Sequence, residues 1–218
     1  MKIHYHGHAC FSITTADGGQ LLMDPFDPSV GYEVKTHQAA VITCSHSHHD
    51  HNYTACALGN PTIITDVAPV ELAGFNIRGV KTFHDDENGK KRGENIIFCV
   101  KADGLTIVHC GDLGHMLTHD QAKEIGPVHV LLVPVGGYYT IDAATAADVA
   151  DMLSPLVTIP MHYRTSMNPD MPIERVEGFL ELMKQREYAI SHRMDTVLPL
   201  DPDDLPRSPR VIQLDYRD

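Results

Sequence analysis

Six consecutive residues near the start of the chain carry four imidazoles and one carboxylate. The run His46-Ser47-His48-His49-Asp50-His51 contains an H-x-H-x-D-H pattern and follows an apolar segment, residues 39–43. If that segment is a strand, residues two apart point the same way, so His46 and His48 can hold one ion together. The last two residues of the pattern are expected at the start of a following helix, where they face a second ion.

This donor set indicates a transition-metal site rather than a calcium site. Imidazole nitrogens and carboxylate oxygens suit zinc, iron or manganese. The alternative is a solvent-exposed histidine-rich loop, which is disfavoured because the pattern directly follows an apolar segment in mid-chain. His49 is an extra imidazole within the pattern and an alternative ligand.

Three single residues recur in matching contexts further along the chain. His84, Asp112 and His162 each follow a predicted apolar strand. A lone histidine after a strand is usually an ordinary surface or core residue. The carboxyl ends of strands are also where layered α/β folds place their sites. Together with the H-x-H-x-D-H pattern, the coincidence favours ligation by all three.

The rest of the chain reads as short strands with a few helices between them. Asp103-Gly104 is a strong hairpin signal between two of the strands. Strands are predicted over 3–5, 10–14, 21–23, 39–43, 62–64, 77–83, 96–102, 105–110, 128–135, 157–161 and 211–214, the last at a sheet edge, and helices over 53–58, 121–125, 143–153 and 173–184. This pattern predicts two sheets packed face to face and covered by helices. The length fits a single domain, 1–218, with a proline-rich, irregular C-terminal extension at about 201–218.

Composition narrows the class of partner. The formal net charge of −12 repels polyanions, so nucleic acid is not expected as a partner. The five cysteines form no C-x-x-C pair, and no segment is apolar enough for a leader or a membrane span. A cytoplasmic protein with reduced thiols is therefore expected, acting on a small molecule as a monomer or a homo-oligomer.

The order Asp24, H-x-H-x-D-H, His84, Asp112 and His162 resembles the metallo-β-lactamase superfamily over most of the chain. Other segments narrow the resemblance to the branch that contains ascorbate-6-phosphate lactonase and the YtkL-type (UPF0173-like) hydrolases. These segments are Gly7-His8-Ala9-Cys10-Phe11, Met23-Asp24-Pro25-Phe26, Arg92-Gly93-Glu94-Asn95, Pro134-Val135-Gly136-Gly137-Tyr138-Tyr139-Thr140 and Ile159-Pro160-Met161-His162-Tyr163.

The resemblance implies an α+β fold, the four-layer αββα metallo-β-lactamase sandwich, and hydrolysis by metal-activated water. It implies two ion sites and a shared ligand, with zinc as the first expectation, manganese or iron as alternatives, and the number of ions, one or two, left open. The implied roles are His46, His48 and His84 for the first ion, Asp50, His51 and His162 for the second, Asp112 as a bridge, and Asp50 also as the catalytic proton acceptor.

Five further residues are candidates for supporting the ligands or binding substrate. Asp24 is expected behind the ligands, and His109 beside the site as a hydrogen-bond donor. His8 either binds substrate or makes a structural hydrogen bond within its turn. Arg92 and Arg164 can pair with a substrate phosphate or carboxylate, although an ordinary surface salt bridge is the favoured alternative for each.

A small polar ester or lactone, with or without a phosphate group, is the predicted substrate. No G-x-S-x-G nucleophile elbow is present, which agrees with a water nucleophile. The alternatives are a phosphodiesterase acting on a lipid or nucleotide phosphodiester, and a metal-binding regulator without turnover.

Overall fold

Two mixed β-sheets dominate the computed structural model, which describes residues 1–217. The strands, in chain order, are β1 (Lys2–Gly7), β2 (Cys10–Thr14), β3 (Gln20–Met23), β4 (His37–Gln38), β5 (Val41–Thr43), β6 (Ala57–Leu58), β7 (Thr62–Ile64), β8 (Val70–Leu72), β9 (Phe75–Phe83), β10 (Glu94–Ala102), β11 (Leu105–His109), β12 (Val130–Pro134), β13 (Val157–Met161), β14 (Ala189–His192), β15 (Val197–Pro199) and β16 (Arg210–Gln213). The helices are α1 (His119–Ile125), α2 (Ala143–Leu153) and α3 (Glu177–Gln185).

The six-stranded sheet has the order β15-β1-β2-β3-β5-β7, and the eight-stranded sheet has the order β14-β16-β13-β12-β11-β10-β9-β8. In the first sheet, β1, β3 and β5 run in the same direction, because two antiparallel pairings separate β1 from β3 and β5 pairs parallel with β3. In the second, β9, β11 and β13 share one direction for the same kind of reason. Each sheet thus presents the carboxyl ends of these three strands along one edge.

Side chains alternate between the two faces of the six-stranded sheet, as the pleat requires. Leu21 and Met23 of β3 enter the main core between the sheets. Leu22, between them, packs with Phe26 and Tyr32 on the opposite face. That outer face is covered by short 3-10 turns at Pro28–Val30 and Thr54–Cys56 and by the β4–β6 pair.

The three helices pack against the eight-stranded sheet, where α2 contacts β12 and α3. Ala146 and Val149 of α2 and Phe179 and Met183 of α3 are completely buried. The α1 helix begins with a capping box in which Thr118 and Gln121 satisfy each other's backbone N–H groups. The arrangement is the predicted α+β sandwich.

The helix predicted over 53–58 is reduced to a single 3-10 turn, Thr54–Cys56. The backbone N–H of Tyr53 donates to the carbonyl of Pro25 at 2.8 Å, and Ala57–Leu58 pairs in parallel with His37–Gln38. These pairings with two distant segments limit the local helical bonds to that turn. Asp50 and His51 accordingly lie in a tight turn, in which the N–H of His51 donates to the carbonyl of His48, and not at a helix start.

Two other expectations need correction near the C-terminus. The helix predicted from 173 begins only at Glu177, because the backbone of Glu174 bonds to Gly136 and Arg164 in neighbouring loops. The strand predicted at a sheet edge over 211–214 instead lies between β13 and β14, in parallel with both. The 201–210 segment contains a 3-10 turn at Pro202–Asp204.

No helix within residues 1–217 is long and apolar enough to cross a lipid bilayer. All five cysteines are buried and unpaired.

Candidate metal centre

The carboxyl ends of six strands, three from each sheet, bring the candidate ligands and their neighbours to one edge of the sandwich. The six-stranded sheet supplies His8 after β1, Asp24 after β3 and the H-x-H-x-D-H turn after β5, and the eight-stranded sheet supplies His84 after β9, Asp112 after β11 and His162 after β13. Residues separated by more than a hundred positions in sequence therefore meet at a single cleft.

Three imidazoles form the first group of side chains. The ring centroids of His46 and His48 are 4.6 Å apart, and His84 lies 4.8 Å from the first and 5.2 Å from the second. Each of the three offers a nitrogen within 4.8 Å of the others, a spacing compatible with one shared ion. His49 is exposed and does not belong to this group.

A second group of four side chains lies beside the first. Asp50, His51 and His162 offer donor atoms within 4.8 Å of one another, and His8 joins them. The Nε2 atom of His51 is 3.6 Å from Oδ2 of Asp50, and Nε2 of His8 is 3.1 Å from the same oxygen. The sequence pattern placed His8 near the site but did not place it among these side chains.

Asp112 lies between the two groups. Its Oδ1 atom is 3.2 Å from Nε2 of His51, whereas its Oδ2 atom is 3.1 Å from Nε2 of His84, 3.4 Å from that of His162 and 4.0 Å from that of His46. The carboxylate thus turns one oxygen to a member of the second group and the other to members of both groups. Its position follows from the backbone, because the N–H of Asp112 donates to Oδ1 of Asn95 at 2.9 Å.

The buried charges of the site depend on one another. Burial alone would raise the pKa of Asp112, but His162 and His51 outweigh it and hold that pKa well below its usual value. Burial would likewise lower the pKa of His51, yet Asp112 and Asp24 raise it well above its usual value. A cation that binds Nε2 of His51 therefore competes with a proton.

The neighbouring imidazoles shift in the opposite direction. Burial, reinforced by His51, lowers the pKa of His46 to about 3. Burial, reinforced by His162, lowers the pKa of His8 to about 4. Both rings are neutral near pH 7, the form in which imidazole binds metal ions.

The pattern of unpartnered atoms fits a bound cation. Within residues 1–217, six buried polar atoms of the cluster have no hydrogen-bond partner, and three of them face its centre: Nε2 of His46, Nε2 of His51 and Oδ1 of Asp112. Buried polar atoms are normally paired, and each unpaired one requires an explanation. A cation in contact with these lone pairs provides it, and the nitrogen and oxygen donors suit zinc, manganese or iron.

Asp24 and Ser45 support the cluster from behind. The carboxylate of Asp24 accepts hydrogen bonds from Nδ1 of His51 at 2.8 Å and from the N–H of Ser45, also at 2.8 Å. Ser45 in turn lies 2.9 Å from Nδ1 of His46 through its hydroxyl oxygen. These contacts orient the rings of His51 and His46 so that their Nε2 atoms face Asp112. The role of Ser45 was not predicted, although it immediately precedes the metal-binding pattern.

His109 supports the turn before Asp112 rather than a side chain of the two groups. It is completely buried, with Nε2 donating to the carbonyl of Ala9 at 2.8 Å and Nδ1 accepting from the N–H of Gly111 at 3.1 Å. Gly111 has φ +54°, and an added Cβ there would lie 2.4 Å from Oδ1 of Asn95. A side chain at this position would push the strand end away from the cluster.

A cleft of about 480 Å³ opens over the cluster. His48, Asp50, His84 and Asp112 lie at its base, and Arg92 and Tyr139 contribute to its wall, together with Ser29, Val30, His49 and Met171. Arg164 is not among the residues that line it. The buried Nε atom of Arg164 has no hydrogen-bond partner within residues 1–217.

Arg92 is held at the cleft by two adjacent residues of a neighbouring loop. Its Nη2 atom donates to the carbonyl of Tyr138 at 3.0 Å, and its guanidinium lies over the ring of Tyr139, 5.7 Å from the centroid. Within residues 1–217 it forms no ion pair, so the salt bridge expected as the ordinary alternative is absent from that part of the chain. Arg92 also lines both neighbouring cavities.

Asp85 organises the loop that carries Arg92, a role that the sequence did not indicate. Its buried carboxylate accepts four backbone N–H groups at 2.8–2.9 Å, from Glu87, Gly89, Lys91 and Arg92. Burial opposes ionisation, but these donors, led by the N–H of Arg92, lower the pKa of Asp85 to about 2. In the sequence, Asp85 is simply an aspartate at the start of a polar loop with two glycines, and this pattern alone does not predict a ring of backbone donors.

Comparison with known proteins places this geometry in a family. A family model described as the beta-lactamase superfamily domain matches residues 2–162. The chain belongs to that superfamily. A UPF0173 metal-dependent hydrolase of Methanosphaera stadtmanae is 30% identical over 209 residues, which cover 80% of this chain and 88% of the relative. A second, from Pyrococcus abyssi, is 30% identical over 194 residues, covering 76% and 85%.

The fold is confirmed by a solved structure from Thermotoga maritima, described as a Zn-dependent hydrolase of the metallo-beta-lactamase superfamily. It is 37% identical to this chain, covers 98% of it and 97% of its own length, and superposes with a TM-score of 0.80. The predicted resemblance to the superfamily and to its UPF0173 members is therefore confirmed. The protein is a metal-dependent hydrolase, and the prediction of a regulator without turnover finds no support.

Proposed function

We propose that the protein hydrolyses a small polar ester or lactone that carries an anionic group, with phosphate as the first candidate, by means of water activated at a divalent metal centre. The observation that carries this proposal is the position of Asp112, whose carboxylate separates two groups of imidazole and carboxylate donors at the base of a cleft that Arg92 borders.

The proposed ligands follow the geometry. His46, His48 and His84 hold the first ion, Asp50, His51 and His162 hold the second, and Asp112 contacts both. The unpartnered nitrogens of His46 and His51 and the unpartnered oxygen of Asp112 support this assignment. Zinc is the first candidate because nitrogen donors dominate the set, and manganese and iron suit the same donors.

A divalent cation held by these residues would lower the pKa of a bound water toward 7 and would polarise the carbonyl or phosphoryl oxygen of the group under attack. Asp50 is placed to manage the proton. Burial opposes its ionisation, but the hydrogen bond from His8 and the nearby His51 keep its pKa below the usual value. Asp50 is therefore ionised at neutral pH and can accept a proton from water and pass it to the leaving group.

The cleft offers no activated nucleophile of its own among the described residues. Ser29 lines the wall, but its hydroxyl donates to the carboxylate of Asp27 and has no histidine partner. A serine needs an adjacent general base to act as a nucleophile. Water is accordingly the nucleophile that the site supports.

Arg92 supports the anionic group on the substrate. Its guanidinium has five N–H donors, and the carbonyl of Tyr138 occupies one of them. A phosphate or carboxylate can engage the donors that face the cleft, which four of the proposed metal ligands also line. The volume of about 480 Å³ suits a small molecule rather than a polymer.

The test is a substrate panel assayed separately with zinc, manganese and iron. It contains matched lactones and simple esters with and without a phosphate group, together with phosphodiesters, thioesters and amides. The proposal predicts that a phosphorylated lactone or ester has the highest kcat/KM in the panel. A higher value for a phosphodiester would favour phosphodiesterase activity, and hydrolysis that is indifferent to the phosphate would remove Arg92 from substrate recognition.

A further inference from the structure

His8 lies inside the second group of donors without being one of the proposed ligands. Its side chain is completely buried, and its Nε2 atom is 3.1 Å from Oδ2 of Asp50. Its ring centroid is 4.2 Å from that of His162 and 5.2 Å from that of His51. This single side chain thus touches all three proposed ligands of the second ion.

We propose that His8 is a positioning residue that sets the affinity for the second metal ion, by donating a hydrogen bond to Asp50 and by holding His162. The inference rests on the proposed function, because it assumes a second ion at Asp50, His51 and His162. It adds a determinant of whether the site holds one ion or two.

The hydrogen bond to Asp50 carries the first part of the argument. Asp50 follows three exposed residues, 47–49, and its own side chain is 18% exposed, so packing alone does not fix its orientation. Within residues 1–217, His8 is its one side-chain hydrogen-bond partner. An Nε2–H···Oδ2 bond uses one lone pair of Oδ2, which also lies 3.6 Å from Nε2 of His51, so the second lone pair of Oδ2 and both lone pairs of Oδ1 remain available to an ion. Partners of this kind, behind a ligand, typically account for about 10- to 100-fold in metal affinity.

The main chain of His8 holds His162 in position. Its carbonyl accepts the N–H of His162 at 2.8 Å and the hydroxyl of Tyr5 at 3.0 Å. This bond joins the end of β1 in the six-stranded sheet to the end of β13 in the eight-stranded sheet. His8 and His162 both have positive φ, at +54° and +51°, so each strand turns sharply where the two residues meet. The two sheets are thereby linked at the second ion site.

The first group of donors does not depend on His8. His46, His48 and His84 make no hydrogen bond or ring contact with it among the described residues. A change of the His8 side chain should therefore weaken the second ion selectively. The backbone bond to His162 survives such a change, because it involves the carbonyl.

Two substitutions distinguish the two possible roles of the His8 side chain, a hydrogen-bond donor to Asp50 and a metal ligand. His8→Gln places an amide N–H at about the reach of Nε2 and can still donate to Asp50. His8→Asn is too short to reach Asp50 but tolerates positive φ, so it preserves the turn. His119→Gln, on the exposed first turn of α1, is the matched control.

The experiment measures zinc binding rather than turnover. Protein stripped with a chelator is titrated with zinc against a fluorescent competitor, and bound zinc is counted by native mass spectrometry. Wild type and His119→Gln should hold two ions. His8→Asn should hold the first with unchanged Kd and the second about 10- to 100-fold more weakly, and His8→Gln should stay within a few-fold of wild type. Circular dichroism of each stripped variant checks the fold.

Three outcomes would overturn the inference. Two ions bound with wild-type affinity by His8→Asn would show that His8 does not support the second site. Equal losses in His8→Gln and His8→Asn would make the imidazole itself a ligand rather than a positioning residue. A wild-type protein that holds only one ion would remove the second site, while leaving the proposed hydrolase open to the substrate panel.

Discussion

The Oδ2 atom of Asp24 lies 2.8 Å from Nδ1 of His51, and both side chains are completely buried. The contact fixes the ring so that its other nitrogen faces Asp112, at 3.2 Å from Oδ1. Asp24 also accepts the N–H and the hydroxyl of Ser45, whose oxygen lies beside His46. One buried carboxylate therefore orients a proposed ligand of each ion.

Asp24→Asn should weaken metal binding although it removes none of the proposed ligand side chains. An amide has one acceptor oxygen for three donors, so at least one of the contacts to His51 and Ser45 is lost. We expect a loss of about 10- to 100-fold in zinc affinity, measured by competition with a chelator. Asp17→Asn, at an exposed turn, is the control. Unchanged affinity in Asp24→Asn would mean that the carboxylate only fills space.

Asp112→Ala should retain at most one tightly held ion. Its two oxygens face histidines of different groups, and without this shared negative charge two cations would repel each other more strongly. The variant should remain folded by circular dichroism and lose most turnover. Elemental analysis beside Asp120→Ala, an exposed residue of α1, decides the matter. Wild-type metal content and rate would show that Asp112 is not the bridge.

Arg92→Met should impair hydrolysis of an anionic substrate more than that of its neutral analogue. A hydrogen bond to a charged group contributes about 1.5–3 kcal/mol, which corresponds to roughly 10- to 100-fold in kcat/KM. Lys91→Met is the matched control, because Lys91 already pairs with Glu87 at 2.7 Å and Asp86 at 3.2 Å. Equal losses on both substrates would mean that Arg92 stabilises the loop and does not recognise the anion.

Asp85→Asn should destabilise the protein at neutral pH by about 1.5–3 kcal/mol, because the amide nitrogen faces two of the four backbone donors. The folded-state pKa of about 2 lies below the usual value near 3.9, so the contribution is complete above about pH 4 and is lost as the pH falls toward 2. Urea unfolding from pH 7 to pH 3, with Asp86→Asn as the control, tests this. The difference in the free energy of unfolding between wild type and Asp85→Asn should shrink below pH 4, and a difference that grows there would contradict the prediction.

The sequence predicts well which side chains meet at the candidate site, because these residues follow strands. Asp112 and His162 each follow a fully buried, mostly apolar strand, and a buried strand of this kind has a strong local signal. Because the strands run in the same direction, these side chains lie at one edge of the sheet, and this placement does not depend on the conformation of the intervening loops. The H-x-H-x-D-H turn benefits from the same rule, since β5 precedes it.

Contacts that depend on tertiary pairing could not be predicted. Asn95 bonds to the N–H of Asp112, 17 residues later, and Ser45 bonds to Asp24, 21 residues earlier. Neither pair has a periodicity that marks it in the sequence. The helix predicted over 53–58 is cut short for the same reason, because Ala57–Leu58 pairs with His37–Gln38, a strand that is distant in sequence.

The location of bound metal tests the account most directly. Crystals of protein loaded with zinc, measured at wavelengths on either side of the zinc edge, give an anomalous difference map that shows where the ions bind. The account predicts two peaks about 3.5–4 Å apart on either side of the Asp112 carboxylate, with Zn–N distances of about 2.0–2.1 Å to His46, His48 and His84 at one peak and to His51 and His162 at the other. Peaks outside the cleft, or an Asp112 carboxylate that contacts no ion, would contradict it.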